Sequence, residues 1–223
     1  MTDPPRVEEA VPGGAVVPPA PGLAYPLRIT IGWPLGRQRI RVRDRQSDDV
    51  FRMLVHLARP AWCEVHDGRN AGQPAFVIEA ERFYTQSRTY RVVDAARNRV
   101  GWFEYEAKVS LVEAVFRFYR AAELQAAFRV MQTSVGPRWL ARVVGDAVAE
   151  SLAYAVTRPR YVVVACDGTP VLAMQLSHFS MRRLCIVDRL AGPLDGADER
   201  LCLLGLSVVA VSEVTRRRSD GAP

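Results

Sequence analysis

The residues able to do chemistry in this chain are few: three histidines, four cysteines, scattered carboxylates and a large set of arginines. Cys63 and His66 stand three residues apart in the strand-like run Trp62-Cys63-Glu64-Val65-His66. An odd offset along an extended chain puts two side chains on opposite faces, so this pair is not placed to chelate one metal. The expectation is a core cysteine and a histidine at a turn, with His56 and His178 completing the histidine count. Ser207 follows Gly205 and Leu206, but no glycine stands two residues after it, so the nucleophile-elbow pattern fails. Phosphate-binding glycine loops, a Walker lysine and a dinucleotide fingerprint are absent from the sequence. Glu104 and Glu106 share one face of a strand and have the residue type for acid/base work. Beside so many arginines, they are expected to form cross-strand ion pairs instead. No catalytic residue, metal site or cofactor is expected.

The basic residues form the one pattern with a direction. Arg37, Arg39, Arg41, Arg43 and Arg45 alternate along a single segment and so share one face. Arg158 with Arg160, and Arg182 with Arg183, add further positive charge. Anionic lipid headgroups attract such arrays by about 1 kcal/mol for each basic residue near the surface. The competing expectation is an exposed sheet face balanced by Asp44, Asp48, Asp49 and Glu64. No basic segment is interleaved with aromatic residues in the manner of RNA-binding strands, so nucleic acid is not an expected partner.

The chain has 223 residues, a net charge of +6 and 24% charged residues, enough for one all-β domain with a full core or two small domains. Lys108 is its only lysine, so arginine carries the positive charge. Arginine suits bidentate binding of phosphates and carboxylates, but a GC-rich genome would also enrich it without functional cause. Cys63, Cys166, Cys185 and Cys202 are far apart and form no CxxC pair, which favours reduced cytosolic thiols over a disulfide framework. Residues 1–24, rich in Pro, Gly and Ala, read as a disordered leader without a secretory signal.

What must position these residues is a repeat. Period-2 alternation runs into Asp/Gly/Asn turns at Arg39–Asp44, Trp62–Gly68, Tyr90–Asp94 and Tyr161–Gly168, and an apolar segment follows each turn. That is the signature of a β-hairpin. Turns centre near residues 45, 69, 96, 122, 146 and 168, which gives six hairpins and about 12 strands. The fourth unit, within 112–131, also has the composition of an Ala/Leu/Arg-rich helix, and register with its neighbours favours the hairpin. The fifth runs from Trp139 to Val156. An antiparallel sheet of this size closes into a barrel or splits into a sandwich, and a 12-stranded barrel is too wide for its own side chains to fill.

One segment can fill it. Leu201, Cys202, Leu203, Leu204, Gly205, Leu206, Ser207, Val208, Val209, Ala210 and Val211 form an unbroken apolar or small run. A core helix is expected over about 199–214, with Asp198 as its cap, Glu199 complementing the dipole and Arg216-Arg217-Arg218 suiting its end. A helix apolar on every side must be buried on every side. From Leu201 to Val214 it has 14 residues, roughly 21 Å, short of the roughly 20 residues that a bilayer core requires.

Repeated hairpins followed by an apolar C-terminal helix resemble the tubby C-terminal-like group, which includes LURP-one-related proteins and phospholipid scramblases. The likeness is carried by Tyr90-Arg91-Val92-Val93-Asp94 with Asn98-Arg99-Val100-Gly101, and by Arg160–Val164 with Asp167-Gly168 and Val171-Leu172. The closing segment, Ile186-Val187-Asp188 through Leu194-Asp195 to Leu206, is the third match. The resemblance covers about residues 27–215 and implies a 12-stranded barrel around a central helix. It also suggests contact with phospholipid. The chain departs from the scramblase pattern in lacking a cysteine run for palmitoylation. Asp188, Asp195 and Asp198 are spaced too loosely for a calcium loop.

The expected organisation is a leader over 1–24, a mainly β barrel over 25–215 and a basic tail over 216–223. The expected function is non-enzymatic and peripheral: an Arg-rich face (Arg37, Arg39, Arg41, Arg43, Arg158, Arg160, Arg182 and Arg183) meeting an anionic phospholipid surface from the cytoplasmic side. The alternatives are a scramblase acting within the bilayer and a protein-interaction module with no lipid role.

Overall fold

In a computed structural model of the chain, residues 22–32, 38–56, 61–68, 72–80, 88–106, 115–132, 160–177, 183–190 and 194–220 are described. Their strands are β1 (Leu27–Gly32), β2 (Gln38–Arg43), β3 (Asp49–His56), β4 (Ala61–Asp67), β5 (Phe76–Ala80) and β6 (Arg88–Asp94). β7 (Arg99–Glu106), β8 (Val115–Arg120), β9 (Phe128–Gln132), β10 (Arg160–Ala165), β11 (Pro170–Ser177) and β12 (Arg183–Arg189) follow. They close into a 12-stranded antiparallel barrel in which each strand pairs with its sequence neighbours and β12 pairs with β1. One helix, α1 (Gly196–Asp220), follows.

Alternation builds the wall. In β2 every second residue is buried, so Gln38, Ile40 and Val42 face in while Arg39 and Arg41 face out. β9 and β5 show the same period. The turns set the register. Asp44 bonds twice across its turn: its N–H donates to Asp48 O at 3.0 Å, and its Oδ1 accepts from Asp48 N at 2.9 Å. Asp94 and Asn98 repeat these bonds at 2.9 and 2.8 Å. Ser47 and Arg97 occupy equivalent left-handed positions, φ 71° and 67°, and a bulge follows at Val42/Arg43 and at Val92/Val93. The β10–β11 turn uses Gly168 at φ 88°, where glycine carries no steric penalty. An aspartate holding each tight turn thus fixes which face every flanking residue occupies.

The hairpin expected within 112–131 forms as β8 and β9, because inward Phe116, Phe118, Phe128 and Val130 follow a two-residue period. The unit expected over 139–156 lies outside the described residues. β9 instead pairs directly with β10, Gln132 opposite Tyr161, and the remaining strand pair is β12 with β1. Five hairpins from β2–β3 to β10–β11 supply ten strands, and β1 and β12, paired with each other, complete the ring of twelve.

Twelve strands about 4.8 Å apart and tilted by roughly 40° give a radius of roughly 12 Å. After the wall's own side chains, that leaves about the width of one helix. α1 fills this space: Leu201, Leu203, Leu204, Leu206, Val208, Val209 and Val211 are all buried, the most exposed at 5%. Ser207 and Ser212 return their hydroxyls to the helix, Ser207 Oγ to Leu203 O at 2.8 Å and Ser212 Oγ to Val208 O at 2.9 Å. In an apolar interior this gives both hydroxyls an acceptor. Two glycines let the helix approach the wall. A Cβ on Gly205 would stand 2.3 Å from Phe118 Cζ, and one on Gly101 would stand 2.5 Å from Tyr119 O and 3.0 Å from Leu201 Cδ1. No helix among the described residues is long and apolar enough to cross a membrane.

The expected helix limits require correction. α1 starts at Gly196, capped by Asp195, whose Oδ1 accepts from Ala197 N at 2.9 Å and Asp198 N at 2.8 Å. Asp198 is therefore inside the first turn. At the other end, α1 continues through residues expected to form the tail. The leader's end also shifts, since Leu23 packs against the core. Replacing Gly205 with leucine is expected to lower stability to chemical denaturation by at least about 2 kcal/mol, because Phe118 is fully buried and has nowhere to move. Leu203→Ala should cost about 2–5 kcal/mol by opening a cavity.

Candidate functional site

The described pocket of note lies at the mouth near the start of α1, lined by Leu23, Phe51, Phe76, Arg200, Leu203 and Leu204 among others, and holds about 20 Å³. That is room for roughly one water. Among the described residues, no three His, Cys, Asp or Glu side chains converge to hold a metal. Cys63 is fully buried in the core while His66 lies on the outer wall, so the opposite-face expectation holds. His66 is within β4, not at a turn. Glu104 accepts a 2.8 Å hydrogen bond from Tyr119 Oη and stands opposite Arg117, a structural cross-strand setting. His178 lies outside the described residues.

The acidic residues before and within α1 also have structural partners. Arg120 grips Asp198 with two nitrogens, Nε to Oδ1 at 2.7 Å and Nη2 to Oδ2 at 2.6 Å. Its Nη1 reaches Glu123 at 2.6 Å. Glu199 Oε1 accepts from Tyr25 Oη at 2.9 Å and from Arg189 Nη1 at 3.2 Å. The bond to Asp198 holds the Arg120 pKa far above its ordinary value, against the effect of burial. Burial, and then the Glu199 carboxylate, hold the Tyr25 phenol protonated well above its usual range. These contacts anchor the charged start of a buried helix to β8, β12 and the entry to β1.

The outer wall of β1, β2 and β3 collects the arginines. Arg39, Arg41 and Arg43 lie in β2, with Arg39 and Arg41 exposed and Arg43 half-buried. Arg45 is in the Asp44–Asp48 turn and not on the strand face, because the turn begins one residue earlier. Two further arginines join from the neighbouring strands. Arg28 of β1 stands opposite Arg43, and Arg52 of β3 stands opposite Arg41. The signal for Arg52 was present in the sequence: once Asp44 fixes the turn, register places it beside Arg41. Arg28 needed the β1–β2 pairing, which no turn motif announces.

One carboxylate serves this group. Asp49 accepts from Arg43 Nε at 2.9 Å and Arg52 Nε at 2.8 Å, with Arg41 Nε at 3.7 Å and a further close contact to Arg52 Nη2. Partial burial alone would raise its pKa, but the Arg43 and Arg52 bonds prevail and hold it below the usual carboxylate value. Asp44, expected as a balancing charge, instead closes its own turn. Glu64 lies between two histidines. Among the described residues, Arg28 and Arg39 have no ion-pair partner. The group of five arginines and one aspartate therefore has a net charge of 5 − 1 = +4.

Of the remaining candidates, Arg160 does not join this face. Arg160 is exposed at the start of β10, four strands from β2 around the ring. Arg183 is in β12, in register with Ile31. Arg37, Arg158 and Arg182 lie outside the described residues. Comparison of the chain with family models, curated proteins and solved structures gave no match.

Two outcomes are expected. Arg120→Ala should cost about 2–3 kcal/mol in denaturant unfolding by leaving Asp198 buried without its counter-charge. Asp49 has a depressed folded-state pKa, so its stabilisation is present above the unfolded value near 4 and is lost as pH falls through the lower folded value. Asp49→Asn should therefore flatten the acid limb of the stability profile below about pH 4, measured by thermal melts.

Proposed function

We propose that this chain is a non-enzymatic, tubby-like and scramblase-related barrel that binds anionic phospholipid surfaces reversibly through the outer wall of β1–β3. The observation that carries this reading is the pair of like-charged neighbours Arg28–Arg43 and Arg41–Arg52, directly opposite across adjacent strands and sharing the single Asp49. Like charges placed opposite each other destabilise a sheet. A third pair, Arg117–Arg129, differs in having Glu104 opposite Arg117 on its other side. A planar array of phosphates would relieve the β1–β3 repulsion, and the guanidinium fork is suited to phosphate oxygens.

The wall's shape suits a flat partner. Three adjacent strands span two of the ring's twelve inter-strand steps, about a sixth of the circumference. Over that arc, a barrel of roughly 12 Å radius curves away by only a few ångströms, well inside the Debye length of about 8–10 Å. A peripheral mode also agrees with the side-chain distribution. Spanning barrels have an apolar outer band and a polar interior, whereas this barrel is apolar within and carries Arg28, Arg41, Arg52 and Arg129 on exposed outer positions. Entry of α1 into a bilayer would empty the core it fills.

The combined variant Arg39→Glu, Arg41→Glu, Arg43→Glu is expected to abolish co-flotation with vesicles containing anionic phospholipid while retaining the wild-type circular dichroism spectrum. Unchanged binding by the folded variant would exclude this face. Recovery of a specific protein partner with no vesicle binding would favour the interaction-module alternative.

A further inference from the structure

Directly beside the arginine face, β3 and β4 carry a carboxylate between two imidazoles. Glu64 Oε2 is 3.4 Å from His66 Nε2 and 3.8 Å from His56 Nε2. His66 stands opposite Arg52, Leu54 opposite Glu64 and His56 opposite Trp62, so all six share one patch of outer wall. His56 stacks flat on Trp62, with ring centroids 3.8 Å apart and an interplanar angle of 4°. Among the described residues, neither His56 Nε2 nor His66 Nδ1 has a hydrogen-bond partner.

We infer that this triad regulates the basic wall by protonation, strengthening its attachment to an anionic membrane when the pH falls from neutral to mildly acidic. The inference rests on the lipid-binding reading and adds its control. With neutral imidazoles, the five arginines, Asp49 and Glu64 sum to 5 − 2 = +3; protonation of both histidines makes this +5. Histidine is the residue type whose charge changes between about pH 5 and 8.

The charged groups around the triad divide by sign. Glu64, in contact with both rings, is negative, and Asp67 follows His66 in β4. Arg52 opposite His66, and Arg39 opposite the neighbouring Leu54, are positive. From β5, Glu79 faces Trp62 but is held by Arg97 at 2.6 Å. Arg52 itself is drawn to Asp49, which leaves the Glu64 carboxylate as the nearest charge that both imidazoles share. Protonation thus converts a local negative charge into a positive one at the edge of a positive face.

The test is partition of the full chain into phosphatidylglycerol/phosphatidylcholine vesicles at pH 7.5 and 5.5, at constant ionic strength. Each added charge is worth about fivefold near such a surface, so wild type should bind roughly ten- to thirtyfold more tightly at pH 5.5. His56→Gln/His66→Gln should bind as wild type does at pH 7.5 and show no gain on acidification. Glu64→Gln should already bind more tightly at pH 7.5. Circular dichroism on each variant verifies the fold. Salt-sensitive wild-type binding without a pH response, or an equal response in the double-histidine variant, would overturn the inference and leave lipid binding standing. Absence of wild-type binding at both pH values would overturn both.

Discussion

The structure depends on a match of widths: a ring of twelve strands encloses a space that only one helix can fill, and this chain supplies a helix apolar on every side. Each depends on the other. Without α1, inward side chains such as Ile29, Met53, Phe103 and Met174 would face an open lumen. Without the barrel, the run from Leu201 to Val211 would expose its apolar surface to water. The match is close enough that glycine is needed at Gly101 and Gly205, where wall and helix come nearest. The helix also arrives with two acids in its first turn, Asp198 and Glu199, which burial would penalise if they were unpaired. Arg120, Arg189 and Tyr25 remove that penalty and fix the helix along the barrel axis.

Most of this architecture was legible in the sequence, for physical reasons. Alternation in Gln38–Arg43 and Phe128–Gln132 reveals which face is buried, because a strand's period is two. The Asp44 and Asp94 turns announce their hairpins because the aspartate side chain itself makes the closing bond. The all-apolar run of α1 demands full burial, and a large barrel is the available enclosure. What escaped the sequence is long-range. The β1–β12 closure joins segments with no local signal, and Arg120 and Asp198 meet across 78 residues. The cap falls at Asp195 and not at the expected Asp198 for a related reason: the two are equally plausible caps by type, and only the burial of Asp198 beside Arg120 separates them.

Among the described residues the core is given over to packing, with a mouth pocket fit for about one water, and the proposed recognition uses the outer wall. There the distribution of charge is uneven. Arg97–Glu79 is a neutralised pair on another part of the wall, while β1–β3 gathers five arginines about Asp49. Asp49 organises these cations without neutralising them. It draws Arg43 and Arg52 toward one point while Arg28 and Arg39 project without an ion partner among the described residues. The His56–Glu64–His66 group borders the same face, so a change in its charge would act on the partner proposed for it.

The most direct test of the central claim is co-flotation of the purified full-length chain with neutral and with anionic liposomes, each at low and at high salt. The account predicts binding to anionic liposomes alone, strong at low salt and suppressed at high salt, because guanidinium–phosphate attraction at an exposed wall is screened. Equal binding to neutral liposomes, or no binding to either, would contradict it.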